Sequence, residues 1–220
     1  MRTLAIECAT EACSVALFAG DDLLAHDHRV LGRGHAERLV PMIADLPDRG
    51  KAARILVSLG PGSFTGVRIG IATARALAYA WGAAIAGYPT LALVAAMVRA
   101  QHPGRAVGAC TVGGHGEWFV QSFGPDGLPR GEARSLVPDE AARALDADLV
   151  GGTRAEELIA LRGHGQALPL HPDARHALAI PAAALEPAIR PAYGRPPDAR
   201  PAPAGKGGHG GKGGHAGARG

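Results

Sequence analysis

The chain has 220 residues, 47% of them hydrophobic but only 4% aromatic, with 32 glycines and a formal net charge of +3. That length supports one large domain or two small ones, with cores packed from small side chains instead of rings. Lys206 and Lys212 fall in a basic, acid-free tail, so the body is near neutral and poorly equipped to bind nucleic acid unaided; no signal-type segment or run of about eighteen uncharged apolar residues is visible, and the expected address is the cytoplasm.

TLAIEC (3–8) and ACSVALF (12–18) read as strands joined by a turn at Ala9-Thr10-Glu11, and LLAHDHRV (23–30) as a third strand in an antiparallel meander. His26 and His28 share a face of that strand, without a third donor placed to complete a metal set. The period then changes. Ala36, Leu39, Val40, Ile43 and Leu46 recur at helical spacing, with Pro41 inside the stripe, where it removes a backbone donor. RILVSL (54–59) is a buried strand, followed by the glycine stretch GPGSFTGVRIG (60–70) and a helix from about Phe64 to Trp81. Ser63 or Thr65 suits its N-cap. AAIAG (83–87) is a short strand, and a helix runs from Pro89-Thr90 to about Ala100, which completes βββαβαβα.

The second half repeats this order loosely. AVGACTV (106–112) and GEWFVQSF (116–123) form a hairpin, and GEARSLV a third strand. PDEAARAL is a helix, DLVGG a strand, TRAEELIALR a helix capped by Thr153, and HPDARHALAI a last helix candidate. Three regions follow: 1–100, 101–195 and a Pro/Gly-rich tail at 196–220, expected to be disordered and to carry His209 and His215. Cys8, Cys13 and Cys110 have no CxxC spacing and are expected as buried thiols.

The glycine stretch fails as a phosphate loop. Val67 and Arg68 stand where a Walker A loop needs Lys and Ser/Thr, and the dinucleotide spacing is off by one. In the helix after it, Gly66, Gly70, Ala74 and Ala78 recur every fourth residue, a stripe that lets another backbone come close. That neighbour is either the chain's own sheet or a partner's helix. His35, at the start of the first helix, reads as an interface histidine in preference to a base, and no GxSxG or orienting Asp accompanies Ser63.

GPGSFTGVRIGIATARALA, with AIECATEACSVAL and GHAERLVPMI before it, closely resembles the bacterial TsaB (YeaZ) family, whose members take part in making threonylcarbamoyladenosine on tRNA. The resemblance is strong over residues 1–98, weakens afterwards, and returns at RPAYGRPPDAR. It implies an α/β fold of the actin/Hsp70/sugar-kinase class, built from two RNase H-like βββαβα halves. It implies a catalytically silent subunit that heterodimerises with a TsaD-type transferase, with a TsaE-type ATPase as a further partner and tRNA reached through the complex. The implied interface comprises His35, Leu39, Met42, Ile43, Gly66, Arg68, Gly70, Ala74 and Ala78. The same surface would serve a homodimer when the partner is absent.

Silence is expected because the positions matching the transferase's metal-binding histidines are Thr90 and Val94. Glu7 and Cys8 stand where the family has Asp and Ser/Thr, and Val112-Gly113-Gly114-His115 replaces an Asp-x-Arg turn. A nucleotide side, if any, would involve Glu7, Thr10, Gly151 and Gly152, with ATP and metal otherwise expected on the partner. Two alternatives accompany this reading: a stand-alone kinase or carbamoyltransferase of the same fold, revealed by ATP turnover, and a partner-stabilising or peptidase-like factor, revealed by loss of partner mass.

Overall fold

The structure, a computed structural model, describes residues 1–192. Alternating and β-branched residues set up β1 (Arg2–Glu7), β2 (Ala12–Ala19) and β3 (Asp22–Val30), an antiparallel meander. Helix α1 (His35–Ala44) leads to β4 (Arg54–Ser58), α2 (Phe64–Trp81), β5 (Ala84–Tyr88) and α3 (Thr90–Gln101). β4 pairs with β1, and β5 with β4, both in parallel, because helices carry the chain back between them. The sheet order is β3-β2-β1-β4-β5.

The second half repeats that order. β6 (Val107–Val112), β7 (Trp118–Phe123) and β8 (Pro129–Leu136) form a meander, followed by α4 (Pro138–Ala144), β9 (Leu149–Gly151), α5 (Ala155–Arg162) and β10 (Gln166–Leu168). Its sheet runs β10-β9-β6-β7-β8, the first sheet's arrangement read backwards. The architecture is thus the two-lobed α/β arrangement expected of the actin-like class.

Every residue of α3 from Thr90 to Val98 is buried. A helix apolar on all sides needs cover on all sides, and α3 finds it between the sheets. One cluster joins Ala5, Ala16 and Leu56 of the first sheet to Leu91–Val98 of α3 and to Val107, Phe119 and Leu149 of the second. On the opposite face of the first sheet, Leu4, Ile6, Val15 and Leu17 pack under Leu39 and Ile43 of α1 and Val67 and Ile71 of α2.

Several local expectations need correction. The buried stripe of α1 is His35, Leu39, Met42 and Ile43, while Ala36 and Val40 face solvent. Thr153 does not cap α5, whose N-cap is Arg154; its hydroxyl accepts a hydrogen bond from the Val112 N–H at 3.0 Å, closing the end of β6. The last helix candidate is a 3₁₀ segment, Ala174–Ala179, packed on the first sheet and α3. There Ser14 Oγ accepts from Ala174 N at 3.0 Å and donates to Asp173 at 3.4 Å, so the segment is fixed by side-chain bonds that a helical turn would not provide. The family-like stretch after Ala192 and the tail at 196–220 lie outside the described residues.

Candidate functional site

The helix α2 starts where it does because Ser63 Oγ accepts a hydrogen bond from Gly66 N at 3.2 Å. It can lie where it does because of the glycines. A Cβ at Gly62 would stand 2.0 Å from the Ala9 carbonyl oxygen, and one at Gly66 would stand 2.0 Å from that of Cys8. The start of α2 therefore rests directly on the backbone of the β1–β2 turn. His35, buried at the head of α1, holds the same turn from its other side. Its Nε2 donates to the Thr10 carbonyl at 2.9 Å, with the Ala12 carbonyl at 3.3 Å. Both acceptors are carbonyls, so the proton sits on Nε2.

These elements form one wall of a cavity of about 1110 Å³ between the lobes. Ala9–Glu11, Gly32–Glu37 and Gly62–Ile69 line that wall, and Val112–His115 of the β6–β7 turn lines the other. Arg33, Arg68 and His115 line it together with Glu11 and Glu37, a mixed charge pattern. Three polar groups of the first wall serve the backbone: Thr10 Oγ1 accepts from Ala12 N at 3.3 Å, Ser63 caps α2, and His35 clamps the turn. They position main chain and are not arranged as a nucleophile with its base.

The expected nucleotide-side set does not come together. Thr10 is on the cavity wall. Glu7 lies beneath it, fully buried, with Oε1 accepting from Ala9 N at 2.6 Å and Oε2 without a hydrogen-bond partner. Burial pushes this carboxyl up to about 7, against the Ala9 N–H, which pulls it down. Gly151 packs against Val98 of α3, and Gly152 against the Cys110 carbonyl, because β9 needs glycines to pass these neighbours. Neither lines the cavity. Thr90 and Val94 are core residues of α3, with Thr90 Oγ1 2.6 Å from Ser58 Oγ. Among the described residues no three His, Cys, Asp or Glu side chains gather as a metal site, and no helix is long and apolar enough to cross a membrane.

The expected interface set is corrected as well. Leu39, Met42 and Ile43 are enclosed beside His35, and Gly66, Gly70, Ala74 and Ala78 are buried against the chain's own sheet. Gly70 faces Cys8, Val57 and Ile6. The small-residue stripe was free to serve sheet or partner, and the sheet takes it. Of the expected set only Arg68 points outward, stacked over the Phe64 ring at 3.6 Å. The outer face of α2 carries a second stripe: Phe64, Arg68, Ala72, Ala76 and Ala80, all exposed, with Tyr79 93% exposed beside it. On neighbouring α1, Ala36, Val40 and Ala44 face outward. This exposed stripe lies two positions along the helix from the buried one.

A family model described as TsaD, tRNA N6-adenosine threonylcarbamoyltransferase, matches residues 29–175. The chain is similar to the tRNA threonylcarbamoyladenosine biosynthesis protein TsaB of Escherichia coli (strain K12), 42% identical over 117 residues, 51% of this chain and 48% of that protein. It is 33% identical over 101 residues to the TsaB protein of Bacillus subtilis (strain 168), 44% of each. These matches span about half the length of the curated relatives. Among solved structures, YeaZ from Pseudomonas aeruginosa superposes with a TM-score of 0.69 at 29% identity, covering 81% of this chain and 89% of that one.

Proposed function

This chain belongs to the TsaD family and, within it, to the TsaB/YeaZ type; from that premise we propose that it is a non-catalytic subunit in the formation of threonylcarbamoyladenosine on tRNA. It pairs with a TsaD-type transferase through the outer faces of α1 and α2. The observation that carries this reading is the exposed stripe Ala72, Ala76 and Ala80, flanked by Tyr79 and by Val40 of α1. Side chains this small let a second helix approach closely, and exposed apolar groups beside them gain by being covered. Two further features agree. Three polar groups of the inner cavity wall are spent on the backbone, and Val94, at a transferase ligand position, offers a metal no donor atom.

Nucleotide and metal chemistry belongs to the partner, a TsaE-type ATPase joins the assembly, and tRNA is engaged through the complex. Without the partner, the same helices associate two copies of this chain in a cytoplasmic pool. The test is Ala76→Arg, which places a charge on the outer stripe without entering the core. The variant should fold as the wild type does but bind its TsaD-type partner more weakly, on the order of a hundredfold. Cells relying on it should lose the modified adenosine from their tRNA. Undiminished pairing would reject this interface, and ATP turnover by the purified chain alone would favour the stand-alone enzyme.

A further inference from the structure

Cys8 and Cys13 face each other across the β1–β2 hairpin with their sulfurs 3.6 Å apart. The strand register pairs Glu7 with Ser14, and one step further sets Cys8 opposite Cys13. Both side chains point to the sheet face that α1 and α2 cover, in one cluster with Leu39, Val67 and Ile71. Cys8 is also the seat of α2: its carbonyl oxygen lies where a Gly66 Cβ would be, and its own Cβ is 3.6 Å from that of a residue placed at Gly70.

We propose that Cys8 and Cys13 are a site of reversible oxidation, closing a cross-strand disulfide that shifts Cys8 beneath α2. To reach the bond length of roughly 2.05 Å the sulfurs must close by about 1.5 Å. The surrounding interior is close-packed, so the displacement passes to the helix instead of being absorbed by a void.

The oxidant is a low-molecular-weight disulfide. Cys13, as thiolate, attacks one of its sulfurs, forming a mixed disulfide and releasing a small thiolate. Cys8 then gives up its proton and attacks the Cys13 sulfur, forming the internal bond and releasing the second small thiolate. The protein loses two electrons and two protons, and the small disulfide takes up both and leaves as two thiols. Cys13 acts first because the hydrogen bond between the two sulfurs, 3.6 Å apart, pulls its thiol pKa down, whereas that same bond, with burial, raises that of Cys8. Both residues are buried, so opening of the hairpin tip sets the pace; Ala9, Thr10 and Glu11, which form the tip, line the cavity.

The oxidation stands apart from the proposed function; only its consequence for pairing rests on that reading. The test is to incubate the full chain with hydroxyethyl disulfide and follow intact mass, peptide maps and hydrogen exchange. The expected product has lost two hydrogens, carries a link between residues 8 and 13, and is restored by dithiothreitol. Exchange over 64–81 should quicken by on the order of tenfold. Cys13→Ser should abolish the link, and Cys110, whose thiol burial pushes up to about 12, should stay reduced. Thiols that remain reduced throughout, or small-thiol adducts without the internal link, overturn the site. A link formed with exchange unchanged over 64–81 overturns the coupling to α2, and either result is readable whether or not the chain pairs with a transferase.

Discussion

Glu7 holds a carboxyl where no water reaches it, with one oxygen on the Ala9 N–H and the other without a hydrogen-bond partner. Its folded-state pKa of about 7 stands above the ordinary 4.5, so between those values the folded chain keeps a proton that the unfolded chain has released. Stability is therefore full below about pH 4.5, falls as pH rises through about 7, and levels off beyond it. The difference corresponds to roughly 3 kcal/mol. Glu7→Gln removes the ionisation, so its urea-denaturation free energy should lose about 2 to 3 kcal/mol less than wild type between about pH 5 and about pH 8. Equal losses in the two proteins would mean that this carboxyl is already ionised in the fold. The sequence shows an acid inside a strand pattern; that the acid is sealed on the sheet face it shares with Ser14 and Ser58, opposite the face α2 covers, is set by elements distant in sequence, which no local pattern records.

The packing of α2 turns on two glycines that look alike in the sequence and differ in space. A Cβ on Gly66 would enter the Cys8 carbonyl, whereas a Cβ on Gly70 would sit 3.6 Å from its nearest neighbours, an ordinary contact. Gly66→Ala must lift the helix from the hairpin and should cost about 1 to 3 kcal/mol or more. Gly70→Ala relieves a mid-helix glycine and should be neutral or stabilising by up to about 1 kcal/mol. Chemical denaturation of both variants separates these cases, and wild-type stability in Gly66→Ala would contradict the contact. The helix, a cap at Ser63 or Thr65 and its close approach were all legible from spacing. The direction it faces was not. Gly66, Gly70, Ala74 and Ala78 form one small stripe and Ala72, Ala76 and Ala80 another, two positions and hence about 200° apart. With so few polar residues on this helix, periodicity cannot choose the side that meets the sheet. Thr153 was misread for a related reason: its hydroxyl sits one residue before the helix cap but is drawn to a strand end distant in sequence.

At the scale of the molecule, the inner faces of both sheets meet in one cluster around α3, which the 3₁₀ segment Ala174–Ala179 completes on the side of the first sheet. The repeated βββαβα order was readable from hydrophobic period and turn residues in each half, whereas β10, only three residues long, has too few positions to show a period. What no half reveals alone is that α3 is core to both, since Leu93 and Val94 are fully buried between residues of the first sheet and of the second. Neither sheet can keep its inner face dry once α3 leaves, so the two halves should unfold together. The tryptophans make this measurable, because Trp81 belongs to the first half and Trp118 to the second. Trp81→Phe and Trp118→Phe each leave one reporter, and the two urea transitions should coincide within error. Leu93→Ala in either background should lower stability by about 2 to 5 kcal/mol and move both transitions by the same amount. If the Trp118 reporter held its midpoint while the Trp81 reporter fell, α3 would be core to one lobe only, and the lobes would be independent units joined by a helix.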